Sequence, residues 1–128
     1  TKHQIAAESD FGAGRIYAFS TSAPDYAQAA AKQIADVLAP LGIAYTPGQG
    51  GPGPDISPFA GHGLAWGALR QDGTDYFDYH HTPDDTLDKI DPKALAQNVA
   101  AYAVFAYLAA DAKGDFGSKP GTVTPPRE

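Results

Sequence analysis

The chain has 128 residues, enough for one domain with a real core and too few for two ordinary ones. Apolar residues make up 43% and charged ones 19%, a globular balance that argues against disorder through most of the length. A net charge of -6 offers no basic stripe for phosphates, which disfavours nucleic acid and anionic membranes as partners, and the absence of cysteine removes disulfides, thiolate zinc sites and cysteine nucleophiles together. There is no run of 18 apolar residues and no basic-then-apolar leader, so neither a membrane span nor an uncleaved export signal is expected in this stretch.

The opening has strand character around Ile5-Ala-Ala and breaks at Glu8-Ser-Asp-Phe-Gly-Ala-Gly14, which places Asp10 just past a strand. A short extended piece from Arg15 to Phe19 follows, and the polar run from Ser20 supplies helix-entry chemistry. Between Asp25 and Ala39, Tyr26, Ala30, Ile34, Val37 and Leu38 recur at three- and four-residue spacings, which predicts an amphipathic helix stopped by Pro40 and Gly42. Ile43 to Tyr45 reads as a short strand. The Gly/Pro stretch from Thr46 to Asp55 can form neither helix nor central strand, and long ordered loops are often functional.

The apolar run from Gly63 to Leu69 is the next strand candidate, ended by the turn signal Arg-Gln-Asp-Gly73. Asp91 before Pro92 gives an N-cap and a first-turn proline for a helix running to about Ala112. Its apolar residues form two stripes, Leu95, Val99, Tyr102 and Ala106 beside Ala101, Phe105 and Leu108, a width that suggests cover on more than one side. Strands separated by helices point to an α/β layered sheet. The Gly- and Pro-rich stretch from Gly114 to Glu128 reads as a flexible tail beyond a domain of residues 1–113.

Chemistry concentrates in Tyr76-Phe-Asp-Tyr-His-His-Thr-Pro-Asp-Asp-Thr-Leu-Asp-Lys-Ile-Asp91. Neutral imidazole offers a lone pair to a metal, and nearby carboxylates can fix its tautomer. On a strand His80 and His81 would point to opposite faces, so at most one is a ligand of a given ion. A bare histidine pair is more often structural, and Asp84, Asp85 and Asp88 alone read as solvated turn or helix caps. Asp10 has the better position, since ligands in open α/β sheets collect beyond the carboxyl ends of strands, although capping of the glycine turn explains it equally well. Gly48-Gln-Gly-Gly-Pro-Gly53 matches the dinucleotide pattern only formally, because Pro52 and Pro54 forbid the helix that pattern needs. No GxSxG elbow exists.

The segment from Asp72 to Lys93, together with Ala7-Glu-Ser-Asp-Phe-Gly12 and Gly53-Pro-Asp-Ile-Ser-Pro-Phe59 in the same order, resembles the carboxyl-terminal part of the co-catalytic di-zinc exopeptidases, the family of bacterial leucyl aminopeptidases and plasma glutamate carboxypeptidase. The resemblance covers roughly residues 5 to 112. It implies part of a three-layer α-β-α sheet, the C-terminal half only, with Asp10 a ligand of one zinc and His81 a ligand of the other. It places Asp55 in the loop beside the substrate cleft, and Asp85 is assigned to orient an imidazole or cap the turn.

The implied reaction is hydrolysis of a terminal peptide bond: two zinc ions activate a water and polarise the carbonyl, and a glutamate acts as general base. In the family the other histidine ligand, the bridging aspartate and the Glu-Glu pair of base and ligand precede the Glu-Ser-Asp motif, and only nine residues precede Asp10 here. His3 and His62 lie in no matching motif. The chain is therefore expected to be inactive alone and to need the N-terminal half of the same protein as well as a peptide substrate. The group that polarises the carbonyl in some relatives, a tyrosine or histidine just ahead of the aspartate matching Asp55, has no counterpart in residues 46–54. A periplasmic or secreted location is expected by resemblance. The competing readings are a receptor-like binding module that keeps the fold without catalysis, and a metal-binding domain completed by association.

Overall fold

The computed structural model describes residues 3–119. Its centre is a mixed three-stranded sheet of β1 (Ile16–Thr21), β2 (Ala44–Tyr45) and β3 (Gly67–Gln71), in the order β2-β1-β3. Strand β1 is parallel to β2, with Ala18 opposite Ala44, and antiparallel to β3, with Phe19 opposite Leu69 and a register shift between Ile16 and Ala18. The aromatic and β-branched content of Ile-Tyr-Ala-Phe-Ser-Thr suits a central strand.

Two helices form the layer against this sheet. Helix α1 (Gln28–Leu38) buries Ala31, Ile34, Ala35 and Leu38, which lie at i, i+3, i+4 and i+7 on one stripe. It is entered through a 3-10 turn at Asp25–Ala27 and left through another at Ala39–Leu41, ended by Gly42 at φ 80. Helix α4 (Pro92–Asp111) starts as expected, with the Asp91 carboxylate accepting from the Lys93 amide at 3.0 Å and proline in the first turn. The helices pack on one another and share a core with β1 and β3: Phe19 and Leu38 are fully buried, and the Phe19 ring meets Phe105 edge-on at 5.9 Å. Gly67 makes that contact feasible, because a Cβ there would lie 2.7 Å from the Phe105 ring. Burying a large apolar side chain contributes about 1.5–3 kcal/mol.

Several expectations are corrected. The strand around Ile5-Ala-Ala is one isolated bridge, Ala6 to Trp66, made by Ala6 N–H to Ala65 and Gly67 N–H to Ala6. The strand expected from Gly63 to Leu69 is β3, which begins at Gly67 and includes Arg70 and Gln71, because Gln71 pairs with Ile16. The short helices α2 (Ser57–Gly61) and α3 (Tyr76–Tyr79) had no periodicity to announce them. On α4 the buried residues are Ala94, Gln97, Asn98, Ala101, Phe105 and Ala109, while Leu95 and Val99 of the expected apolar stripe stand exposed. Of the expected tail, Phe116 is fully buried, and the Ser118 hydroxyl accepts from the Ala65 amide at 2.8 Å, so residues 114–119 pack on the domain; residues 120–128 lie outside the described ones.

Candidate functional site

The Glu8-Ser-Asp10 segment is tied to three other parts of the fold. The Glu8 carboxylate accepts from the Asp55 amide at 2.8 Å and the Ile56 amide at 3.1 Å, clamping the loop that follows Gly53. Gly53 is required there twice over: its φ is +87, and a Cβ would sit 1.7 Å from Glu8 Oε1. The Tyr102 hydroxyl of α4 donates to the Glu8 carbonyl at 2.6 Å, and burial pushes that phenol's pKa up. The Ser9 hydroxyl donates to Gln71 at 3.3 Å.

Beneath the next residues lies a buried amide network. Gln71 Nε2 donates to the Gly12 carbonyl and to Asn98 Oδ1, and Asn98 Nδ2 donates to the Gly14 carbonyl at 3.0 Å. Gln97 brackets Ile16, accepting from its amide at 2.9 Å and donating to its carbonyl at 2.7 Å. These three side chains hold the backbone that directly follows Asp10 and Phe11, at Gly12, Gly14 and Ile16. Sequence reasoning passed over them, and the signal it missed was an adjacent Gln-Asn pair interrupting the apolar pattern of α4.

The histidine segment is held differently. Helix α3 lasts one turn; Thr82 closes it through its hydroxyl on the Tyr79 carbonyl at 2.7 Å, and the Asp85 amide donates to Thr82. His81 has φ 59, a left-handed conformation rare outside glycine, asparagine, aspartate and histidine. The expected strand geometry is therefore wrong: the backbone turns sharply and the rings of His80 and His81 stack at 3.8 Å with 19° between planes. The stack continues through Tyr76, 4.7 Å from His80, to Phe11, 4.5 Å from Tyr76. Phe11 reaches that position over Gly73, where a Cβ would lie 1.9 Å from its ring. A ladder of aromatic rings thus joins the residue next to Asp10 to His81.

Asp10 and His81 are both exposed, on segments that this ladder binds together. Asp55 is exposed at the end of the Gly/Pro loop, fixed through its amide by Glu8. Asp85 lines a concavity of about 400 Å³ with His80, Tyr76 and Lys89, and its carboxylate makes no hydrogen bond to either imidazole among the described residues. A catalytic zinc normally takes three protein ligands and an open position. Among the described residues no cluster of three or more His, Asp or Glu side chains is placed to hold a metal ion. This chain alone does not fit a zinc centre; Asp10 and His81 each offer one donor, and no hydrolytic step is assigned to them here.

The mixed α/β sheet thus carries an exposed Glu-Ser-Asp turn and a left-handed His-His turn, joined through the aromatic ladder. The model of Peptidase family M28 matches residues 8–106, and the chain belongs to that family. A crystal structure of a Peptidase M28 precursor from Shewanella amazonensis is 51% identical and superposes with a TM-score of 0.86 over 94% of this chain and 27% of its own. Carboxypeptidase Q from Mus musculus is 32% identical over 87% of this chain and 23% of its own length, and that of Homo sapiens is 29% identical over the same shares. The chain therefore spans about a quarter of the length of these relatives.

Proposed function

We propose that this chain is the part of a zinc-dependent exopeptidase that supplies Asp10 as an oxygen donor and His81 as a nitrogen donor, one to each of two ions, in a protein that cleaves terminal peptide bonds. The remaining ligands and the general-base glutamate come from sequence outside this chain, its N-terminal half in the three-layer α-β-α arrangement, and the chain alone is inactive. Peptide is the substrate, nucleic acid is no partner, and the setting is periplasmic or secreted; among the described residues no helix is long and apolar enough to cross a membrane.

One observation carries this reading. His81 holds a left-handed backbone that costs of order 1–3 kcal/mol at a helix-ending position where glycine would sit freely, while its side chain stays exposed. Such strain at an exposed imidazole marks a residue kept for what its ring does. A receptor-like module that lost catalysis would have no use for it.

The test is His81→Gly in the full-length protein. Glycine keeps the turn, relieves its strain and removes the ring, so loss of turnover by at least about a thousandfold with thermal stability unchanged or raised is expected, a ligand being lost and not a core side chain. Undiminished hydrolysis of dipeptides and aminoacyl substrates by the variant, or zinc content equal to that of the parent, sinks the proposal.

A further inference from the structure

The Gly/Pro loop, β3 and the Glu-Ser-Asp segment enclose a second concavity of about 470 Å³ in which Asp10 shares the wall with Arg70. That volume is within the range of small-ligand sites, roughly 300–1,000 Å³. Leu69 points into the core, so the alternation of β3 sends Arg70 to the opposite face of the sheet. There its guanidinium lies over the Tyr17 ring, 5.3 Å from the centroid, and its stem runs against the loop, 3.5 Å from where a Cβ of Gly50 would be. Arg70 is the one cation among the described residues lining this space.

The anions around it are accounted for. The ion pairs among the described residues are Lys32 with Asp36 and Lys89 with Asp88, so Arg70 has no carboxylate partner among them. Glu8 faces the same concavity but has Oε2 committed to two backbone amides. Asp10 is the other carboxylate, and on the reading above it belongs to a metal ion. A planar guanidinium held on an aromatic face, with its fork free, is built for bidentate recognition of a carboxylate. The walls beside it, Gly50 to Pro54, present little side-chain bulk.

We infer that Arg70 binds the terminal carboxylate of the peptide substrate, with Tyr17 positioning the guanidinium, so that the cleft selects short peptides whose free C-terminus falls a fixed distance from the metal-bearing end at Asp10. This rests on the exopeptidase reading and names its substrate class. An acidic side chain would present the same group, and the experiment separates the two.

Binding is measured by calorimetry on the metal-free full-length protein, so that no probe is consumed, with alanylalanine, alanylalaninamide and alanylglutamic acid α-amide; kcat and KM follow on the zinc-loaded protein. Alanylalanine is expected to bind about tenfold or more tightly than its amide, with the glutamyl amide no better than the latter, and Arg70→Gln is expected to bring the acid-to-amide ratio close to one. Tyr17→Ala should lower that ratio part of the way. A ratio unaffected by Arg70→Gln overturns the inference, as does a glutamyl amide that binds best, or a variant that loses stability while keeping the ratio, which would show Arg70 paired within the full-length protein. Absence of hydrolysis with the Arg70-dependent binding preserved would count against the peptidase reading alone.

Discussion

Asp10 sits in a segment held by partners far along the chain, whereas His81 sits in one held mainly by its own neighbours. The first is fixed by Tyr102, Asn98, Gln97 and Gln71, through hydrogen bonds that span 59 to 94 positions and are in good part buried. The second is fixed by Thr82, Thr86 and the helix turn, over two or three positions and in water. Buried amides fix a backbone because leaving them unpaired is expensive; exposed turns exchange their hydrogen bonds with solvent at little cost. The Asp10 segment is thus part of the rigid fold, and the His81 segment is a surface element that borrows rigidity through the aromatic ladder.

The sharpest way to break that contrast is to remove one partner from each side. Gln97→Ala strips both the amide and the carbonyl of Ile16 of their buried partner, and about 2–4 kcal/mol of stability should be lost. Thr82→Ala removes two exposed local bonds, one to the Tyr79 carbonyl and a longer one from the Asp84 amide, and should cost about 1 kcal/mol or less. Urea denaturation of the full-length protein checks both. Equal losses would mean that the two segments are built alike after all.

The joint between them comes next in size. Phe11→Ala takes out the ring that connects the two segments, for a stability loss of about 1 kcal/mol, since stacked pairs contribute roughly 0.5–1.5 kcal/mol beyond burial. The larger readout is spectroscopic. Loss of the stack should shift the imidazole proton resonances of His80 and His81, which stand further along the same ladder. Unmoved resonances would show the histidine turn holding itself.

The same contrast explains which parts could be read from sequence. Local signals were sufficient for the existence of α1, although Tyr26 and Val37 of its expected stripe stand exposed while Ala31 and Ala35 are buried beside Ile34 and Leu38, and for the start of α4, where Asp91 and Pro92 act within two residues. The Glu-Ser-Asp and His-His-Thr-Pro-Asp-Asp-Thr strings were legible as a family resemblance, and the M28 match bears out that recognition. What failed was long-range. Arg70 and Gln71 read as a turn until β1 is present to pair with them. Of the two stripes expected on α4, Ala101, Phe105 and Leu108 do face the core, and the Leu95–Val99 stripe was misjudged because two amides that bind backbone, Gln97 and Asn98, turn inward instead. The left-handed turn at His81 and its stack on His80 have no pattern in sequence at all.

The smallest predicted effect lies at the far end of the histidine segment and tests whether it is ordered by local electrostatics. Asp88 accepts from the Lys89 ammonium at 2.6 Å and from the Thr86 hydroxyl, and these partners, Lys89 first, hold its carboxyl down at about 2. A group whose pKa is lower in the folded state stabilises that state above its unfolded value, about 3.9, and the contribution is lost as pH falls through about 2. Because the carboxylate is fully exposed, global stability should scarcely register this, and the local structure should. Carboxyl carbon shifts followed by NMR should titrate with a midpoint near 2 for Asp88, returning toward the ordinary range in Lys89→Met. An ordinary midpoint in the parent protein would show the turn from Thr86 to Lys89 to be open in solution, leaving the aromatic ladder as the main restraint on His81.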